Sequence, residues 1–130
     1  MKNKYIILLA TIVILTNASC LNRQFIEGRA ELISTSDTLL NDSSLFAGKI
    51  SYVDMIYFYS PVEVWIENTN YKTTSDSAGY YVLKTLPGTY TIRCQSKLNT
   101  WTQLIEEKKD IKIGKNQKVQ IDFYLGYTIE

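Results

Sequence analysis

The stretch KVQIDFYL, residues 118–125, alternates polar and apolar side chains at every second position. The same period of two recurs in VEVWIE at residues 62–67 and in TYTIRCQ at residues 89–95. Strict alternation puts every second side chain on one face, so each segment predicts a half-buried antiparallel strand. The predicted inner faces carry Val62, Val64, Ile66, Tyr90, Ile92, Cys94, Val119, Ile121, Phe123 and Leu125. Three such segments predict an all-β sandwich with a shared apolar core.

Turn-forming residues separate these segments at short intervals. They are NTN at 68–70, DSAG at 76–79, LPG at 86–88 and GKN at 114–116. The Asp76 carboxylate is expected to accept hydrogen bonds from backbone amides two or three residues later, and Gly79 to adopt a left-handed conformation. Pro87 and Gly88 predict a second tight turn of similar purpose. Both turns are therefore expected to close β-hairpins.

The composition excludes several classes of protein. The 130 residues suffice for one domain and a short appendage, and 14 Lys and Arg balance 13 Asp and Glu. Nucleic-acid binding is not expected, because it needs a basic face. The chain has no histidine and only two cysteines, so a His-activated nucleophile, a zinc cluster and a disulfide framework are excluded. We expect a protein that is not an enzyme and has no cofactor or metal.

The N-terminus has the pattern of a secretory signal peptide. Lys2 and Lys4 precede an apolar run at 5–15, which is too short to cross a membrane. Residues 17–20, NASC, resemble the lipobox of bacterial lipoproteins. That resemblance implies a signal peptide at 1–19 and a Cys20 that carries acyl chains as a membrane anchor.

The sequence after Cys20 predicts a spacer and then the folded domain. Residues 20–45 are rich in polar turn formers and predict a flexible tether, with a possible edge strand at 25–33. Residues 46–130 are assigned to the sandwich. Residues 21–24 lack the acidic cluster found in many surface lipoproteins, which favours a domain that faces the periplasm from the outer membrane.

The sandwich region resembles the carboxypeptidase regulatory-like domain. The resemblance is carried by PVEVWI at 61–66, TSDSAGYYVL at 74–83 and LPGTYTI at 86–92. It implies a seven-stranded, prealbumin-like or Ig-like antiparallel β-sandwich. It also implies an accessory or interaction module of the cell envelope without catalytic function.

Aromatic side chains are the candidate binding residues. Trp65 is predicted on the face opposite Val64 and Ile66, with Tyr57, Tyr59 and Tyr71 nearby. An exposed aromatic patch or a free sheet edge could bind a partner protein of the envelope, which is the favoured function. The alternative is a carbohydrate-binding lipoprotein that stacks sugar rings on these aromatics.

Two further groups are predicted to be structural. The acidic pair in EEKKD at 106–110 lies in one charge run, so it predicts a solvated loop rather than the separated carboxylates of a glycosidase. Cys94 is predicted to be a small buried hydrophobe on the inner face of its strand.

Overall fold

The computed structural model describes residues 24–54, 61–96 and 105–129, and these form ten strands without a helix. The strands are β1 (Gln24–Ile26), β2 (Arg29–Asp37), β3 (Ser44–Tyr52), β4 (Val62–Ile66), β5 (Lys72–Thr74), β6 (Tyr80–Thr85), β7 (Gly88–Ser96), β8 (Ile105–Ile113), β9 (Gln117–Leu125) and β10 (Tyr127–Ile129). The all-β prediction is confirmed. The predicted signal peptide at 1–19 and Cys20 lie outside the described residues.

Two four-stranded sheets enclose the core. Sheet 1 has the order β2-β9-β3-β6 and sheet 2 the order β5-β4-β7-β8, while β1 and β10 form a separate pair. The alternation predicted for β4, β7 and β9 is confirmed, except that Tyr90 at the start of β7 is only half buried. The fully buried residues of these three strands are Val62, Val64, Ile66, Ile92, Cys94, Val119, Ile121, Phe123 and Leu125. Phe46 and Ile50 of β3 join the same core.

The strand count and one strand direction differ from the prealbumin-like expectation. Among the residues that the structure describes, the two main sheets hold eight strands, so the seven-strand count is not confirmed, and β3 pairs with β9 in parallel. The parallel register runs from Leu45 opposite Lys118 to Tyr52 opposite Leu125. Alternation predicts which face of a strand is buried, but it carries no information about the direction of the neighbouring strand.

The segment assigned to a tether is largely part of the sandwich. β2 pairs antiparallel with β9 from Arg29 to Asp37, beyond the strand predicted at 25–33, and β3 already begins at Ser44. The connection between them is fixed by Asn116, whose Oδ1 accepts hydrogen bonds from the N–H groups of Leu40 and Asp42. Polar composition predicted a tether here, but it does not exclude an edge strand. An edge strand needs backbone partners on one side only and tolerates exposed Ser and Thr side chains.

The 76–79 turn has the local chemistry of a tight turn but does not close a hairpin. Asp76 Oδ1 accepts hydrogen bonds from the N–H groups of Ala78 and Tyr80, each at 2.9 Å, and Gly79 has φ 93°. However, β5 belongs to sheet 2 and β6 to sheet 1, so the turn carries the chain between sheets. Turn chemistry sets a local reversal and leaves the pairing of the flanking strands open.

The turn at Pro87 and Gly88 also crosses between the sheets, from β6 to β7. The Tyr90 hydroxyl donates a hydrogen bond to the Leu86 carbonyl at 2.9 Å, an arrangement similar to the tyrosine corner of Greek-key sandwiches. A Cβ on Gly88 would lie 2.9 Å from the Tyr90 ring, so glycine leaves room for that ring. The predicted hairpin at this position is therefore a corner of the sandwich.

Candidate functional site

Trp65 lies on the outer face of sheet 2, as the alternation predicted. Its register partners are Lys72 on β5 and Arg93 on β7. Glu63, two residues earlier on the same face, pairs with Thr74 and Gln95. Because adjacent outward side chains on paired strands are about 5 Å apart, these residues form a continuous polar surface around one indole ring.

Arg93 forms ion pairs with two carboxylates. Its Nη2 lies 3.3 Å from Glu67 Oε1, and its Nε lies 3.2 Å from Glu107 Oε2. Lys109 Nζ lies 3.3 Å from the other oxygen of Glu107. These ion pairs run across β4, β7 and β8 on one side of Trp65 and are half exposed, so they order the surface more than they stabilise the fold.

An open groove of about 550 Å³ lies on the other side of Trp65. Its lining residues are Glu63, Trp65, Thr69, Asn70, Tyr71, Lys72 and Gln95. The β4–β5 turn forms one end of this groove. The turn is ordered by the Thr69 hydroxyl, which donates to the Ile66 carbonyl at 2.9 Å and accepts from Tyr71 N–H at 3.1 Å, and by Asn68 with φ 62°.

Tyr71 does not form a coplanar platform with Trp65. Its ring packs against the core residue set and meets the Tyr90 ring edge to face, with centroids 6.2 Å apart at 79°. Tyr90 in turn meets Phe46 edge to face at 6.3 Å. Tyr71 therefore lines the rim of the groove and anchors β5 to the core. The other two predicted aromatics, Tyr57 and Tyr59, lie outside the described residues.

The four outer strands of the main sheets differ in how well their free edges are protected. β5 has only three residues, and β2 has a register shift between Leu32 and Ser34. β8 carries the charge run 106–110, which forms a strand paired with β7 and not the predicted loop. Shortness, bulges and charges are the usual devices against unwanted strand addition. Among the described residues, β6 pairs only with β3, in a continuous register, and it has one charged residue, Lys84. Its outward edge is covered at Tyr80, whose N–H and carbonyl are hydrogen-bonded to Asp76.

Two of the three outward side chains of β6 are largely apolar, and the third is Lys84. Tyr80 is 53% exposed and Val82 59%, whereas the alternating residues Tyr81, Leu83 and Thr85 are buried. Beside them lies a shallow depression of about 270 Å³. We call the surrounding surface the β6 patch, and it comprises Ala47, Lys49, Tyr80, Val82, Lys84, Lys118 and Gln120.

The β6 patch was not among the residues singled out from the sequence. Residues 80–85 are apolar on both faces except for Lys84 and Thr85, so alternation alone could not separate core from surface. The register supplies the missing information, because Val82 lies opposite Ala47 and Tyr80 opposite Lys49. Lys49 Nζ lies 5.6 Å from the Tyr80 ring centroid, within cation–π range.

The Cys94 thiol and the Glu106 carboxyl both have a raised pKa. Burial raises the pKa of the Cys94 thiol, which is fully inaccessible, so this group stays protonated. Burial also raises the pKa of the Glu106 carboxyl; the negative charge of Glu27 adds to this, and a hydrogen bond from the Gly126 backbone opposes it. Within the described ranges, no three Cys, Asp or Glu side chains cluster as metal ligands would.

Comparisons with known proteins add no relative, since neither the family models nor the curated proteins include a match to this chain. Within residues 24–54, 61–96 and 105–129, no helix has the length and apolar character to cross a membrane. The class that the structure defines is an all-β protein with two packed sheets. Because a fold of this kind serves many functions, the function must be argued from its surfaces.

Proposed function

We propose that the protein is a lipid-anchored, non-catalytic binding module of the bacterial cell envelope that captures an extended segment of a partner protein at β6. The observation that carries this proposal is the regular edge of β6 with its exposed Tyr80 and Val82. The resemblance of residues 61–92 to carboxypeptidase regulatory-like domains supports an accessory function of this kind.

Capture proceeds by strand addition. An extended segment pairs its backbone N–H and C=O groups with those of Val82 and Lys84, and its alternate side chains lie over the β6 patch. Tyr80 takes no part in this pairing, because its N–H and its carbonyl are both hydrogen-bonded to Asp76. Val82 and Tyr80 supply apolar contact. Lys49, Lys84 and Lys118 surround them and favour a segment with acidic side chains, which also steers the encounter at low salt.

The anchor is an acylated Cys20, and it holds the sandwich close to the membrane. β1 begins at Gln24, and four residues span at most about 14 Å when fully extended. The pair β1–β10 therefore faces the lipid in this proposal, in place of the 25-residue tether expected from composition. We propose the outer membrane as the site, with the domain on the periplasmic side, because residues 21–24 lack acids.

Site-specific photocrosslinking tests the binding surface in cells that express the full chain. A photoreactive residue at Val82 is expected to give one discrete adduct, and the same residue at Lys112 of β8 is the matched control on the other sheet. The Val82→Lys substitution is then expected to abolish co-purification of the crosslinked protein. Absence of an adduct at Val82, or an equal adduct at Lys112, contradicts the proposal.

Fractionation tests the anchor separately. Cys20→Ser is expected to move the protein from the membrane fraction to the aqueous fraction, because the thiol is the only group in the lipobox-like segment that can carry the acyl chains. Unchanged retention in the membrane fraction would remove acylation from the proposal and leave the β6 surface unaffected.

A further inference from the structure

We infer that the groove beside Trp65 is a second binding site, specific for neutral hexopyranose rings with equatorial hydroxyl groups. It lies on sheet 2, whereas the β6 patch lies on sheet 1, so the inference does not rest on the proposed function. The groove volume of about 550 Å³ is within the range of small-ligand sites, about 300–1,000 Å³.

The groove combines the indole ring of Trp65 with three polar side chains that are not bonded to other described residues. The side-chain amides of Asn70 and Gln95 form no hydrogen bond with another described residue, and Lys72 forms no ion pair with one. Each amide can both donate and accept, and the ammonium donates three hydrogen bonds. A pyranose ring presents an apolar C–H face to the indole of Trp65 and hydroxyl groups to these side chains.

The backbone around Trp65 argues against a peptide as the occupant. β4 is paired on one side with β5 and on the other with β7. The outer strand β5 lines the groove through Lys72 but has only three residues, so it offers a peptide a very short edge. Apart from Trp65 and the rim residue Tyr71, the lining side chains are polar. A peptide would find few main-chain partners and no row of apolar pockets.

The charges of the lining favour a neutral sugar. Among the described lining residues, Glu63 and Lys72 contribute one negative and one positive charge, which balance each other. Arg93, which could otherwise bind an anion, is held by Glu67 and Glu107. A phosphorylated or uronic sugar therefore gains no electrostatic attraction here, and the sugar must be held by stacking and hydroxyl contacts.

NMR titration tests the site. The isotope-labelled full chain, in detergent micelles, is titrated with cellotetraose and, separately, with the β-1,4-linked tetramer of N-acetylglucosamine. We expect shifts of the Trp65 indole N–H with a Kd on the order of 1 mM for at least one probe. Trp65→Ala is expected to weaken binding at least about tenfold, and Trp65→Phe by less, since a smaller ring remains. Val82→Lys, on the other sheet, is the matched control and should leave the Kd unchanged.

A second variant tests the same site if the Trp65→Ala protein does not fold. The double substitution Asn70→Ala and Gln95→Ala removes one exposed and one half-buried amide, neither of which is hydrogen-bonded to another described residue. It should weaken binding about tenfold while the unfolding temperature stays nearly constant. No indole shift with either tetrasaccharide up to about 10 mM, or equal affinity in the folded groove variants, overturns the inference. Neither result bears on the β6 surface, because the crosslinking experiment reads a different sheet.

Discussion

Gly48 is expected to be the residue of sheet 1 that is least tolerant of a single added methyl group. It lies on β3, between β6 and the parallel partner β9. A Cβ at this position would lie 1.9 Å from the Ile121 carbonyl oxygen and 2.7 Å from its carbon. Because Cβ contacts shorter than 3.0 Å essentially never occur, β3 and β9 would have to separate by about 1.1 Å.

The cost of Gly48→Ala follows from what must move. Backbone hydrogen bonding fixes paired strands at about 4.8 Å, so the carbonyl cannot retreat as a flexible side chain could. Overpacking costs about 1–3 kcal/mol, and each weakened backbone hydrogen bond about 0.5–1.5 kcal/mol. Alanine also restricts the unfolded chain, and this lower unfolded-state entropy stabilises the folded state by about 0.4–1 kcal/mol. The net expected loss in the free energy of unfolding is about 3 kcal/mol.

Urea unfolding followed by circular dichroism measures this loss, and the melting temperature should fall by roughly 12–24 °C for a domain of this size. Gly114→Ala is the matched control. Its Cβ would lie 3.1 Å from Gln117 Oε1, the end of a movable side chain, so the change should stay below about 1 kcal/mol. A Gly48→Ala protein within about 0.5 kcal/mol of the wild type would refute the close approach of β3 and β9.

Substitutions at three further positions test other parts of the molecule. Because burial and the charge of Glu27 raise the pKa of Glu106 above its unfolded value, its contribution favours folding at low pH and is lost as the pH rises through the folded-state pKa. Glu106→Gln should therefore raise the melting temperature at pH 7 and remove the decline that accompanies a rise in pH from the unfolded-state to the folded-state pKa of Glu106, whereas a lower melting temperature would contradict the burial argument. Tyr81→Phe removes a buried hydroxyl that donates to the Ile121 carbonyl at 2.6 Å and should cost about 1–3 kcal/mol in urea unfolding; a neutral result would show that water replaces the hydroxyl. Asp76→Ala removes two turn hydrogen bonds and should cost about 1 kcal/mol, and Asp76→Asn, which keeps the accepting oxygen, should recover most of it in the same assay.

The candidate sites show which side-chain positions the sequence pattern predicts and which it does not. The outward position of Trp65 follows from the alternation of β4, and Tyr71 was placed near it either by closeness in sequence or across a hairpin. Tyr71 does line the groove with Trp65, but its ring also packs against Tyr90 of β7 and the core, which the sequence did not indicate. The β6 patch had no sequence signal, since Val82 and Leu83 are equally apolar and only the pairing of β6 with β3 decides which is buried.

The sequence by itself determined the all-β class, the inner faces of β4 and β9 and the local form of the 76–79 turn, because these depend on side-chain period and on hydrogen bonds between near neighbours. It did not determine that β3 runs parallel to β9, that residues 29–37 complete sheet 1, or that both tight turns cross between sheets. Those features depend on contacts between residues far apart in the chain. A strand contributes the same hydrogen-bonding groups to either neighbour and in either direction, so only the closing of the whole core selects its partners.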